Sequence, residues 1–176
     1  SPADFMDAFR EAARHASSVL CLTVSPRFSS SLDSARAAAE EAREALPATE
    51  IVLLDSESAA GGEGLVATDA LRVARAGSGI EAVVAAAKRV VARVSLLAFL
   101  DTLYYVWRSG RVPRVVMWMG RLLGVKPILQ LSNGTIGMVE RTRTTRRALE
   151  RVASLAVGRA QGAAVRIAVM HAAAPE

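Results

Sequence analysis

The sequence is poor in the residues that catalysis most often needs. It has one cysteine and two histidines in 176 residues. Cys21 alone cannot form an internal disulfide. In an apolar run it reads as a small buried hydrophobe, and a single free thiol points to a reducing, cytoplasmic setting. His15 and His171 lie far apart in sequence without partners, so no cluster suits a metal or an activated nucleophile. There is no GxGxxG fingerprint and no Walker pattern, so no nucleotide cofactor and no metal are expected. No apolar run reaches the roughly 18 uncharged residues of a membrane span, and no signal-peptide pattern is present. Aromatic residues are only 5% of a chain that is 52% hydrophobic, so the core must be built from Ala, Val and Leu. A net charge of +5 demands neither nucleic acid nor a membrane surface.

What is present is organised around one stretch. Val19–Val24 reads as a buried strand. Ser25-Pro26-Arg27-Phe28-Ser29-Ser30 follows as a hydroxyl-rich loop. From Ser31 an Ala-rich amphipathic helix begins, with Leu32, Ala35, Ala39, Ala42 and Leu46 on one face. The first turn of a helix carries unpaired N–H groups and the positive end of its dipole, which suits an anion. Ser29, Ser30 and Ser31 add hydroxyl donors there. The plain alternative is that one serine caps the helix and binds nothing.

Along the chain, Ser1-Pro2-Ala3-Asp4 opens a helix that ends near His15. A second strand, Ile51–Leu54, runs into Asp55-Ser56-Glu57-Ser58-Ala59-Ala60-Gly61-Gly62 and a helix from Gly64 to Ala76. Asp55 and Glu57 are too close in sequence to act as a catalytic pair and read as turn and cap residues. Two strand–helix units in succession imply parallel strands with both loops at one carboxyl edge, where such sheets bind ligands. Ile80, Val83, Val84, Ala87, Val90, Val91 and Val94 mark a core helix. Ser95–Leu100 reads as a third strand, and Tyr104–Trp107 as a helical turn ended by Gly110. Val115, Val116, Met117, Trp118, Met119, Leu122 and Leu123 make a helix apolar on all sides, suited to burial or to a greasy ligand. Asn133-Gly134 between two strand-like runs predicts a type I′ hairpin. A helix through Ala148–Ala156 follows, then a strand, Val165–Met170. The fold expected is α/β with two small domains. Residues 1–110 hold a parallel Rossmann-like sheet with flanking helices, and 111–176 a hairpin, helices and further strands.

Several of these pieces together resemble the DegV family of bacterial fatty-acid-binding proteins. Phe28-Ser29-Ser30-Ser31-Leu32-Asp33-Ser34-Ala35 is similar to the family's Leu-Ser-Gly-Thr-Tyr-x-Ser-Ala. Asp55-Ser56 leading to Gly62 and Gly64, Asp101-Thr102-Leu103 with Gly110-Arg111-Val112, and Lys126-Pro127-Ile128 with Asn133-Gly134 match in order. The resemblance implies two α/β domains with a long-chain fatty acid between them, such as palmitate, stearate or oleate. It further implies a non-catalytic, cytoplasmic subunit that presents the fatty acid carboxylate to a partner kinase, which uses ATP to make the acyl-phosphate. By position, Ser29 would bind the carboxylate with Ser30 and Ser31 beside it. Arg111, and next Arg108, would belong to the head-group or kinase-docking surface. Phe28, Val115, Trp118 and Met119 would line the acyl chain. The pattern departs at Ser30 and Ser109, which replace glycines, and at Leu32, which replaces tyrosine. Family segments expected before Ser1 and after the last strand are missing, so the chain resembles a middle piece of about two-thirds of such a protein.

Two other classes follow from the residues alone. The run Arg141, Arg143, Arg146, Arg147 and Arg151 is compatible with a nucleic-acid-binding module, although no aromatics interleave with it. The serine loop is equally compatible with a phosphate ester or another small anion.

Overall fold

The structure is a computed structural model and describes residues 1–111 and 124–172. The apolar segment after Pro113, with Val115, Trp118 and Met119, lies outside the described residues. The chain divides into two compact units, Ser1–Val94 and Ser95–Glu176.

The first unit is built on two strands, β1 (Ser18–Thr23) and β2 (Glu50–Asp55), paired in parallel from Ser18↔Glu50 to Thr23↔Asp55. Both strands are near-continuous apolar runs because helices cover both faces of the sheet. On one face α1 (Pro2–Ala13) and α2 (Ser31–Ala45) bring Met6, Phe9, Ala38 and Ala42 against Val19, Cys21, Ile51 and Leu53. On the other, α3 (Ala60–Arg75) and α4 (Ile80–Val91) bring Val66, Ala70, Val83, Ala87 and Val91 against Leu20, Leu22 and Leu54. The alanines of α2 have a packing role, since Ala35, Ala38 and Ala42 are almost wholly buried. At the start of α1, Asp4 accepts hydrogen bonds from the Ser1 nitrogen at 2.7 Å and from Ser1 Oγ at 3.0 Å.

The second unit holds a three-stranded antiparallel sheet in the order β3 (Leu96–Phe99), β4 (Lys126–Ser132), β5 (Thr135–Thr142). The β4–β5 turn is the expected hairpin. Asn133 and Gly134 both have positive φ, 49° and 65°, which a type I′ turn requires. A bulge interrupts the ladder between Ile128 and Leu129. One face packs Leu103 and Leu129 with Leu100, Val106, Val125, Ile136 and Met138. A short helix, α5 (Tyr104–Arg108), and a longer one, α6 (Thr145–Ala160), complete the unit, and α6 packs on all three strands.

Four expectations change. The strand after α4 does not extend the parallel sheet: β3 pairs antiparallel with β4, Leu96 opposite Leu131. The division between units therefore falls at Val94/Ser95 rather than at Gly110. A four-residue apolar strand has no pattern that names its neighbour, so its pairing is decided by tertiary contact. Helix α3 begins at Ala60, earlier than Gly64. Lastly, Val165–Met170 forms no strand among the described residues.

Candidate functional site

Parallel pairing of β1 and β2 puts both following loops at the same sheet edge. The ladder continues into them. Ser56 N–H donates to the Thr23 carbonyl at 3.0 Å, and Ser25 N–H donates to the Ser58 carbonyl at 3.0 Å. The edge is lined with hydroxyls: Thr23, Ser25, Ser56 and Ser58 are all buried. The Thr23 and Ser58 hydroxyls have no hydrogen-bond partner among the described residues. Leaving a buried hydroxyl unpaired costs roughly 1–3 kcal/mol, so such groups concentrate where a fold serves something other than stability. Asp55 Oδ1 accepts from Glu57 N–H at 2.7 Å, and Glu57 takes φ of 49°. These are the turn roles read from the sequence.

The serine loop reaches the same edge. Ser29 Oγ lies 2.6 Å from Ser31 Oγ and accepts from Ser31 N–H at 3.1 Å. Ser29 and Ser31 are half-buried, and Ser30 is exposed. Ser30 occupies the N-cap position of α2 but makes no side-chain cap bond. Ser29 thus supplies the hydroxyl at the helix start, and the two half-buried serines act as a pair. Ser30, where the resemblance implies a glycine, is free of backbone strain, since its φ is −82°. Phe28 N–H donates to the Ser25 carbonyl at 3.0 Å, which closes the turn into the loop.

Sequence reasoning missed the second wall of this edge. Gly62 is the telling residue: a Cβ there would stand 2.1 Å from Ser58 Oγ and 3.2 Å from Ser58 Cβ. Glycine at this point of α3 lets the buried Ser58 hydroxyl fit. The signal was the hydroxyl-rich Ser56-Glu57-Ser58 stretch after β2, which mirrors the loop after β1. Arg27 was missed as well. It is exposed, has no ion pair among the described residues, and is the closest cation in sequence to Ser29. Burial raises the pKa of the Cys21 thiol above its ordinary value, and the Glu63 carboxylate adds to the effect. Burial also raises the pKa of Glu63. A thiol shifted upward is a poor nucleophile, in keeping with a packing role for Cys21.

The remaining candidates sit in the second unit. Arg108 Nη1 donates to Tyr104 Oη at 3.3 Å on α5, where Tyr104 and Tyr105 stack edge-on at 5.3 Å. Arg111 is exposed, and its N–H donates to Ser109 Oγ at 3.3 Å. Ser109, where the resemblance implies a glycine, serves as the C-cap of α5, with its hydroxyl donating to the Val106 carbonyl at 2.7 Å. Gly110, with φ of 66°, ends α5 as expected. In the Arg-rich run, Arg146 pairs with Glu150 at 3.1 Å and Arg151 with Glu140, so two of its cations are neutralised. Among the described residues, no three His, Cys, Asp or Glu side chains gather as a metal site, and no helix is long and apolar enough to cross a membrane. A cleft of about 490 Å³ between α2 and β2, lined by Arg36, Arg43, Glu50 and Leu53 among others, includes no residue of the serine loop.

The family model described as "Uncharacterised protein, DegV family" matches residues 1–176. The chain belongs to the DegV family. It is 35% identical over 177 residues to a DegV domain-containing protein of Streptomyces coelicolor, covering all of this chain and 61% of that protein. A DegV domain-containing protein of Mycobacterium tuberculosis is 37% identical over 144 residues, 80% of this chain and 49% of its own length. The DegV fold is shared with a Thermus thermophilus structure described as showing fatty acid binding, with TM-score 0.81 and 31% identity over 92% of this chain and 56% of that one. It is shared also with a stearic acid-binding protein from Eubacterium ventriosum, with TM-score 0.83, 24% identity and coverage of 92% and 55%. The chain therefore spans between about half and three-fifths of the length of these DegV relatives, somewhat less than the two-thirds expected from sequence.

Proposed function

We propose that this DegV chain binds a long-chain fatty acid through its carboxylate at the serine loop and presents that carboxylate to a partner kinase, which forms the acyl-phosphate from ATP. The observation that carries the reading is the 31% identical Thermus thermophilus relative, whose description names fatty acid binding. The serine loop supplies the local chemistry. Ser29 and Ser31 hold hydroxyls 2.6 Å apart at the N-terminus of α2, where N–H groups and the helix dipole favour a carboxylate. Arg27 adds a cation in the same loop. Phe28, half-buried in the same loop, is the acyl-chain contact on the described residues; Val115, Trp118 and Met119, named with it from the sequence, lie outside them. Arg111, and next Arg108, take the head-group or kinase-docking role. The chain supplies no catalytic residue of its own: it holds the substrate, and the partner performs the transfer.

Native mass spectrometry of freshly purified protein is the direct test, with a retained mass of a C16–C18 fatty acid expected. Ser29→Ala removes a charge-assisted hydrogen bond worth about 1.5–3 kcal/mol, so palmitate affinity drops roughly 10- to 150-fold. Unchanged affinity would remove Ser29 from the head-group site. The kinase step is tested separately, by trapping acyl-phosphate with hydroxylamine after the loaded chain is mixed with the partner and ATP.

A further inference from the structure

The cleft between α2 and β2 lies apart from the serine loop. One wall is the outer side of α2, with Arg36, Ala39, Glu40 and Arg43, and the other is the unbroken stretch 49–53. Successive side chains of a strand point to opposite faces. A cleft touched by consecutive residues therefore runs along the edge of the strand rather than over one face. That edge is open: β1 is the one strand paired with β2 among the described residues, so the N–H and C=O groups on the far side of β2 have no ladder. Proline, lysine and bulges, which blunt exposed edges, are absent from β2. Between Glu50 and Asp55 it reads Ile51-Val52-Leu53-Leu54, all half-buried although helices cover both faces.

The far edge of β1 is open too, but the cleft and its charges lie against β2. Arg36 pairs with Asp33 at 3.0 Å within α2. Glu40, Arg43 and Glu50 are exposed and have no ion pair among the described residues. Along this side of α2 the signs alternate, Arg36, Glu40, Arg43, around the half-buried Ala39, which is small enough to let a second helix approach.

We infer that the edge of β2 is the seam of a two-fold dimer, in which β2 of one copy pairs antiparallel with β2 of a second copy. A rotation axis perpendicular to the sheet does this and makes the contact self-complementary. It also keeps the two α2 helices on one face of the joined sheet, antiparallel across the seam. With the axis between them, Glu40 of each copy stands opposite Arg43 of the other, so one register pairs both charges twice. The same seam satisfies the open backbone groups and covers Ile51 and Leu53. The serine loops stay clear of it. They follow the carboxyl ends of the β1 strands, and antiparallel pairing turns those ends away from each other.

Sedimentation velocity of the full chain over a dilution series is the test, with a monomer–dimer equilibrium expected. Glu40→Arg sets like charges at both contacts and is expected to weaken association at least about 100-fold. Adding Arg43→Glu restores opposite signs in reversed order and should bring the dimer back. A chain that stays monomeric at every concentration overturns the inference and leaves the edge to a strand of another protein. A dimer indifferent to Glu40→Arg overturns it by placing the contact elsewhere. Should the variants fail to fold, amide exchange in the unmodified chain decides. The outward-facing amides of residues 51–54 are expected to exchange at least about 10-fold more slowly in concentrated than in dilute solution, and equal rates overturn the seam.

Discussion

The two units present polar groups in opposite ways. At the carboxyl edge of β1 and β2 the polar side chains are neutral and buried: Thr23, Ser25, Ser56 and Ser58, with Ser29 and Ser31 half-buried beside them. In the second unit most of the polar groups named above are charged and largely exposed, with Asp101 against Lys126, Arg108, Arg111, Glu140 against Arg151, and Arg146 against Glu150, whereas Thr142 is buried and donates to the Lys126 carbonyl. Desolvation explains the contrast. Burying a charge costs several kcal/mol unless it is paired, whereas hydroxyls and backbone N–H groups can wait in a half-buried edge at lower cost. The hydroxyl-lined edge is therefore held in place within the first unit, while the exposed charges of the second unit lie in solvent, where salt screens them.

The sharpest way to break the comparison is to disturb the buried edge. Gly62→Ala pushes a methyl group to 2.1 Å from Ser58 Oγ. Overpacking of this kind costs about 1–3 kcal/mol, read as a lower denaturant midpoint. Ser58→Ala alone is expected to be neutral to stabilising, because the buried hydroxyl it removes has no partner among the described residues. Combined with Gly62→Ala it should recover most of the loss. A double variant as unstable as the single one would show that the contact with Ser58 is not what makes glycine necessary.

What was legible in the sequence follows the same division. The serine loop, the Asp55 turn and the Asn133-Gly134 hairpin are local devices, set by residues a few positions apart, and the structure has them where the residues put them. The pairing of β3 was not legible. Leu96-Leu97-Ala98-Phe99 can join either sheet, and its partner Ile128–Leu131 is distant in sequence. The buried role of Ser58 was equally hidden, because it depends on Gly62 one turn into the next helix. Val165–Met170 marks the limit from the other side: alternation records a capacity to pair, and a strand exists only once an edge receives it.

A smaller effect separates two N-caps that look alike in sequence. Thr144 caps α6, its hydroxyl accepting from Arg147 N–H at 3.2 Å, whereas Ser30 caps α2 by position and makes no such bond. Thr144→Ala is expected to cost about 1 kcal/mol, the usual worth of a working cap. Ser30→Ala should change thermal stability by no more than a few tenths, since surface changes away from such contacts fall within about ±0.5 kcal/mol. Equal losses in the two variants would mean that Ser30 is bonded in solution.

The smallest effect belongs to the charged unit, and pH reveals it. Arg151 donates to both Glu140 oxygens, one at 2.8 Å, and these bonds hold the pKa of the Glu140 carboxyl below its ordinary value. A carboxylate whose folded pKa is depressed contributes stability above its unfolded pKa and loses it as pH falls through the folded value. Glu140→Gln should therefore be slightly less stable than the parent at pH 7, and the gap should close as the pH is lowered through the acid side of the carboxylate range. Added salt should narrow the same gap at pH 7, because the pair is exposed enough to be screened. A gap that stayed constant across both titrations would assign the Glu140–Arg151 contact to packing rather than to charge.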